Sequence, residues 1–340
     1  DGLVASAVRL AAARRYTLAM RLQSLRALLA IAEHGSFSSA ALELDVAQSS
    51  VSHAIAELEE ELGVRLLERS RNGAVPTDVG ERVVAHARGI ERSLAAIEQE
   101  AQVETGELNG VVRVAAFRSL ANHVLARTIT ALRASYPNVT VDFKELAGSW
   151  GETASPTCDT RLRDTSADLL LTLESVAHDA IFWELLRDEY VAVVPRGWAG
   201  SERVGLAELI RHPLIINDGP CSWPMRERLQ QLDASWAPEY QIIEDSTMVA
   251  LAAQGLGVAL MPTLTVDAVP DGARILPLVE RVERVVGVAV MPRALRVPAV
   301  RAFLTVLRRL FPDSDVPALD AANGPVDRPL AGRIGDAAPA

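Results

Sequence analysis

The chain has 340 residues, of which 49% are hydrophobic, 23% charged and only 4% aromatic, the composition of a globular protein long enough for two or more cored domains. Its two cysteines, Cys158 and Cys221, are too far apart for a C-x-x-C zinc ribbon and too few for a disulfide framework, which suits a reducing compartment. A formal net charge of -10 counts against nucleic-acid binding unless the basic residues are focused.

No apolar run of about eighteen residues occurs, so no membrane span is expected. The first nineteen residues lack the apolar core and cleavage site of a secretory signal, so a cytoplasmic location is expected. Basicity comes almost wholly from arginine, Lys144 being the only lysine.

Residues 1–19 are rich in Ala and Arg and form an N-terminal extension, with Met20 as an alternative start. From Leu22 to Glu33, Leu22, Leu25, Leu28 and Leu29 recur at helical spacing, and His34-Gly35-Ser36 ends the helix. A second helix is predicted from Ser38 to Leu44, burying Ala40, Ala41 and Leu44. After a turn at Asp45-Val46, a third places Val51, Ile55 and Leu58 on one face. This is a helix-turn-helix candidate. Two extended pieces around Asn72-Gly73 follow and predict a small hairpin, a wing.

Thr77 is placed to cap a long helix over 78–104, where Val83, Ala87, Ile90, Leu94, Ile97 and Ala101 repeat with a heptad period. A second copy of that helix is its expected partner, since a lone helix of this kind has little reason to be stable in water.

Beyond Gly110 strands and helices alternate. Strands are expected at 111–115, 139–143, 168–172, 190–194, 214–216, 241–243, 258–261 and 285–290, with helices at 119–135, 225–232, 247–254 and 298–310. Two α/β lobes with a cleft between them result. From Pro312 onward Pro, Ala, Asp and Gly dominate, and 312–340 is expected to be disordered.

With Val51, Ile55 and Leu58 turned inward, the third helix presents Gln48, Ser49, Ser52 and His53 outward. Gln can bridge adenine N6 and N7, and Ser can serve bases or phosphates. Arg65, Arg69 and Arg71 on or beside the wing are candidates for the phosphate backbone. Equally, such residues simply solvate a surface helix. Residues 1–78 hold eight Arg against ten Asp and Glu, a balance of -2, with Glu57 and Glu59 to Glu61 at the helix end furthest from the groove.

The run from Gly35-Ser36-Phe37-Ser38-Ser39-Ala40-Ala41 through Gln48-Ser49-Ser50-Val51-Ser52-His53 to Glu61-Leu62-Gly63 resembles the signature of LysR-type transcriptional regulators. It continues through Leu66-Leu67-Glu68-Arg69 and Pro76-Thr77-Asp78-Val79-Gly80, and the likeness covers roughly 20–311. The resemblance implies an α/β protein overall. It comprises an N-terminal winged helix-turn-helix (20–78, all-α with a small β wing), a linker and dimerisation helix (79–108), and a two-lobed α/β effector domain (111–311) resembling type 2 periplasmic binding proteins.

It further implies a bacterial homodimer or homotetramer that binds operator DNA through Gln48, Ser49, Ser50, Ser52, His53 and the wing arginines, with RNA polymerase as a further partner. Two positions depart from the family: Ala47 stands where a capping Ser is usual, and His53 where Arg is common.

In open α/β lobes ligands bind beyond the carboxyl ends of strands. That selects Phe117, Arg118, Ser119, Gly148, Ser149, Leu173, Glu174, Asn217, Asp218, Ser246 and Thr247 for a small-molecule effector. Ser119 and Thr247 serve equally as plain N-caps. Arg118 suggests an anionic ligand, unless it is solvated or paired with Glu174.

A thiol-based redox sensor using Cys221 or Cys158 is one alternative, and a non-regulatory solute-binding protein another. No G-x-S-x-G elbow, P-loop or H-E-x-x-H motif occurs, and the six His residues form no cluster at metal spacing, so neither an enzyme, a metal site nor a cofactor is expected.

Overall fold

The computed structural model describes residues 20–70, 73–105, 108–146, 167–177, 180–199 and 202–319. They belong to two compact units, divided at Ala95 and Ala96 within the long helix.

In the first unit α1 (Leu22–His34), α2 (Phe37–Glu43) and α3 (Gln48–Leu62) close around Leu25, Leu28, Ile31, Ala40, Val51, Ile55 and Leu58. Burying each larger aliphatic side chain contributes about 1.5–3 kcal/mol, so the i, i+4, i+7 pattern of α3 decides which of its faces is left outside. The second helix starts one residue earlier than expected because Ser36 caps it, its hydroxyl accepting from the Ser39 N–H at 3.0 Å. Leu44 follows the helix rather than ending it, and Asp45 takes φ 52° in the turn before α3. Asp is one of the few non-glycine residues that enter this region readily.

Strands β1 (Leu67–Ser70) and β2 (Gly73–Pro76) pair antiparallel, with Leu67 opposite Pro76 and Ser70 opposite Gly73. Arg71 and Asn72, at the expected hairpin turn, lie outside the described residues. Gly73 is required by close approach: a Cβ there would collide with the Gly35 carbonyl, to which the Ala74 N–H donates at 2.8 Å. The wing is thereby seated on the end of α1.

Thr77 caps α4 (Asp78–Thr105) as expected, its hydroxyl accepting from the Gly80 N–H at 3.0 Å. Of the seam positions, Ala87 is only 1% exposed and packs with the fully buried Val84 in this unit's own core. The first turns of α4 therefore serve their own domain, whereas Ile90 and Ile97 remain 40% and 67% exposed.

The second unit is built on a sheet with the order β4 (Val139–Glu145), β3 (Gly110–Ala116), β5 (Leu169–Leu173), β11 (Glu283–Val290), β6 (Ile181–Pro195), β9 (Val258–Pro262), β7 (Leu214–Asn217), β8 (Tyr240–Ile242), with β10 (Ala273–Pro277) also on β6. The fifteen-residue β6 crosses between two lobes: Ile181 to Glu189 pairs with β11, and Tyr190 to Pro195 with β9 and β10.

Lobe I holds β3, β4, β5 and β11. It also holds α5, a helical run of segments Arg118–Leu120, Ala121–Leu125 and Ala126–Ser135, and the closing helix Pro298–Leu310. Lobe II holds β7 to β10 with α6 (Leu206–Leu209), α7 (Trp223–Leu232) and α8 (Asp245–Ala253); the closing helix is accordingly α9. Alternate residues of lobe II's strands build two cores, Ala192, Val194, Leu214, Ile216, Val258 and Leu260 on one face and Val193, Ile215, Ala259 and Met261 on the other. A sheet covered on both faces reads as continuous apolar runs, as these strands do.

Two expectations change. The first half of β6 was not foreseen, and residues 312–319 are not disordered; β11 and α9 pack in lobe I. Val316 is buried in lobe I's core, the Asp315 N–H donates to the Glu184 carbonyl at 2.9 Å, and the Thr305 hydroxyl donates to the Leu319 carbonyl at 2.7 Å. Residues 1–19 and 320–340 lie outside the described residues.

Candidate functional site

Two surfaces carry the residues singled out from the sequence, one in each unit. In the first, α3 leaves Gln48, Ser49, Ser50 and His53 exposed and Ser52 half-buried. Ala47 is its N-cap residue and offers no side-chain cap, so the first N–H groups of α3 lack the hydroxyl partner that a Ser would supply. His53 lies 3.2 Å from Glu57 on the next turn.

Arg65 is exposed before the wing and Arg69 lies within β1, while Arg71 is outside the described residues. Glu59, expected as one of a distal acidic group, has a structural task. Its carboxylate accepts from the Leu66 and Leu67 N–H groups at 2.7 and 3.1 Å, which fixes the wing's entry strand to α3.

In the second unit a cavity lies between the lobes, lined by Phe117, Arg118, Ser119, Glu145, Leu146, Asn217, Gly219, Pro220, Cys221, Ile243, Asp245 and Thr265. Its volume is about 50 Å³, room for a few water-sized groups. Of the predicted effector residues, Phe117, Arg118, Ser119 and Asn217 are brought together here. Leu173 is instead buried in lobe I's core, Glu174, Ser246 and Thr247 are exposed away from the lining, and Asp218 pairs with Arg226 at 3.7 Å. Gly148, Ser149 and Cys158 lie outside the described residues.

Arg118 is not paired with Glu174. Its Nε donates to Glu145 at 3.0 Å within lobe I, and its two terminal nitrogens hold both carboxylate oxygens of Glu244 in lobe II, one of them at 3.0 Å. The hydrogen bond with Glu244 raises the guanidinium's pKa and, reciprocally, lowers that of the Glu244 carboxyl. The expectation of an anionic ligand relied on an open guanidinium, whereas here an anion has to displace Glu244. Asn122 and Asp267 add a second side-chain hydrogen bond, at 3.3 Å.

Ser119 does not cap a helix. Phe117 holds the N-cap position, and the Ser119 hydroxyl accepts from Arg284 Nη2 at 3.1 Å. Arg284 is 2% exposed and lies directly across the β11–β6 ladder from the equally buried Asp188, to which its Nε and Nη2 donate at 2.9 and 2.8 Å. Asp188 also accepts from the Leu264 N–H at 3.1 Å, beside the Thr265 that lines the cavity. This buried ion pair sits where β6 changes lobes, and periodicity gave no sign of it because Asp188 lies in the half of β6 that was missed.

Burial pushes the Cys221 thiol pKa up, against the opposing effect of Arg284. The Tyr190 hydroxyl donates to the Cys221 carbonyl. Asp245, one residue before the predicted Ser246, is the lining residue of greatest chemical interest that the sequence reading missed. Burial pushes its carboxyl up to about 6 despite Arg118 and Arg284.

Comparison with known proteins matches residues 22–81 to the family "Bacterial regulatory helix-turn-helix protein, lysR family" and 105–312 to "LysR substrate binding domain". The chain is 38% identical over 296 residues to a protein from Synechococcus elongatus named "Probable HTH-type transcriptional regulator LrrA", covering 86% of this chain and 98% of that protein. It is 30% identical over 258 residues to a "Probable hydrogen peroxide-inducible genes activator" of Streptomyces viridosporus, covering 72% and 78%.

Among solved structures, a full-length OxyR variant from Pseudomonas aeruginosa superposes with a TM-score of 0.64 at 21% identity, over 85% of this chain and 94% of that one. CbnR complexed with its target DNA superposes at 0.59 and 20% identity, over 85% and 99%. A winged helix-turn-helix on a long helix, followed by a two-lobed effector domain, is the architecture these matches share, and the chain belongs to the LysR family of transcriptional regulators.

Proposed function

We propose that the chain binds operator DNA as a dimer through the first turns of α3 and the wing, and that a small molecule in the cleft of the second unit changes that binding or the activity of the promoter. The observation that carries the reading is the division of α3 into two faces: Val51, Ile55 and Leu58 are within 2% of full burial, while Gln48, Ser49, Ser50 and His53 are exposed. A short, polar, uncharged face suits base edges in a major groove, and Arg65, Arg69 and Arg71 supply phosphate contacts beside it. Val83, Ile90, Leu94 and Ile97 on α4 join the two copies, a dimer of dimers extends the same contact, and RNA polymerase is the partner at activated promoters. The protein acts on the cytoplasmic chromosome.

Selection from a pool of random duplexes tests the reading. An enriched sequence with two related half-sites supports a DNA-reading dimer, and a pool left random rejects it.

A thiol-based reading is favoured by one observation, the place of Cys221 in the cavity lining near Arg284, and several relatives carry hydrogen-peroxide-inducible names. Its raised pKa keeps the thiol protonated and slow to react. We therefore assign Cys221 to the cavity wall. Cys221→Ser is expected to keep regulation intact, and loss of regulation in that variant would favour the redox reading.

A further inference from the structure

The structure assigns the cleft a ligand of positive charge: we infer that the effector carries a basic nitrogen, bound as an ammonium by the Asp245 carboxylate. This rests on the reading of the cleft as the effector site. Among the lining residues the charged side chains are Arg118, Glu145 and Asp245, and Glu244 closes on Arg118 from lobe II. One cation thus faces three carboxylates, and that cation is already held on its Nε and both terminal nitrogens.

Asp245 is different. It is half-buried in the cavity wall, and among the described residues its carboxylate has neither a hydrogen bond nor an ion pair. Arg284, the other cation near it, is not part of the lining: its Nε and Nη2 are held by Asp188 and Ser119, and its Nη1 is buried with no hydrogen-bond partner among the described residues. A carboxylate kept partly out of water without a partner is unfavourable until a donor arrives.

An ammonium restores that balance and brings the local charge of the cleft closer to zero. An anionic ligand of the same size would enter beside Glu145, Glu244 and Asp245 and would have to break the Arg118–Glu244 pair. The cavity's volume of about 50 Å³ limits the part of the ligand seated against Asp245 to a small group, such as a primary amine on a short carbon chain.

The test is a thermal-denaturation series on the full chain with propylammonium, propionate and propionamide, matched in size and differing in charge. The expected result is a rise in Tm with propylammonium alone, absent in Asp245→Asn and restored in Asp245→Glu, with at least tenfold weaker binding to the Asn variant by calorimetry. Stabilisation by propionate or propionamide but not by the amine overturns the charge assignment and leaves an effector cleft standing.

A shift of the same size in Asp245→Asn places the amine elsewhere and overturns the site, and no shift with any of the three overturns it too. Binding at Asp245 that leaves affinity for a selected operator and promoter output unchanged keeps the site and rejects the regulatory reading on which it rests.

Discussion

Arg118 of lobe I grips both carboxylate oxygens of Glu244 in lobe II, so one side-chain pair bridges the two lobes beside the cavity between them. The two side chains are 41% and 52% exposed, and an exposed pair of this kind contributes only about 0–1 kcal/mol to global stability. Its effect is on the opening of the lobes. Arg118→Ala is expected to leave Tm within a few degrees of the parent while speeding amide exchange at the ends of β4 and the start of α8. Unchanged exchange would mean that the pair restrains nothing.

The Asp188–Arg284 pair differs in kind, since both partners are buried where β6 passes between lobes. Asp188→Ala leaves the Arg284 guanidinium without its counter-charge and is expected to destabilise the effector unit by about 3–5 kcal/mol. Asp188→Asn, which keeps an acceptor for Arg284, should cost less. Chemical denaturation of the three proteins gives the order, and equal stabilities would remove the pair from any structural role.

Asp245 gives a pH dependence with a definite sign. Its carboxyl is raised to about 6 by burial, with Arg118 and Arg284 opposing and Glu244 and Asp267 reinforcing, against roughly 3.9 for a free Asp. The native state therefore binds this proton more tightly than the unfolded chain. The resulting loss of stability is full above pH 6 and is relieved as the pH falls toward 4. Asp245→Asn is expected to stabilise the ligand-free protein by about 1–3 kcal/mol near pH 7.5, with the gain vanishing near pH 4. Urea titrations across that range check it, and a gain independent of pH would mean that ionisation is not its source.

How far the sequence was legible follows from the same residues. Helix α3 was readable because Val51, Ile55 and Leu58 repeat at its own period over a polar remainder, and lobe II's central strands because both of their faces are buried. The first half of β6 was not, since Phe182-Trp183-Glu184-Leu185-Leu186-Arg187-Asp188-Glu189 mixes charges into an apolar run whose register is set only by β11. Missing it hid Asp188, and with it the reason Ser119 is buried. Asp245 was passed over because Ser246 and Thr247 beside it look like caps, whereas α8 begins at Asp245 and leaves both exposed. Arg118 was noticed, but its partner Glu244 lies 126 positions along the chain, a distance no local pattern reports.

The apolar seam of α4, with Ile90 and Ile97 exposed and Leu94 half-buried between them, predicts a dimer contact. Leu94→Glu sets two carboxylates against each other across a symmetric interface and is expected to give a monomer that no longer binds a two-half-site operator. Sedimentation velocity measures it directly, and an unaltered oligomer would move the interface elsewhere.

The proposed base reading rests on the face of α3 opposite the buried Val51, Ile55 and Leu58. Fluorescence anisotropy on a selected operator and on a scrambled duplex, at one stated salt concentration, measures how much of the affinity is sequence-specific. Gln48→Ala is predicted to lose about 1–3 kcal/mol on the operator and almost nothing on the scrambled duplex. An unchanged ratio of specific to scrambled binding would contradict base reading by this helix.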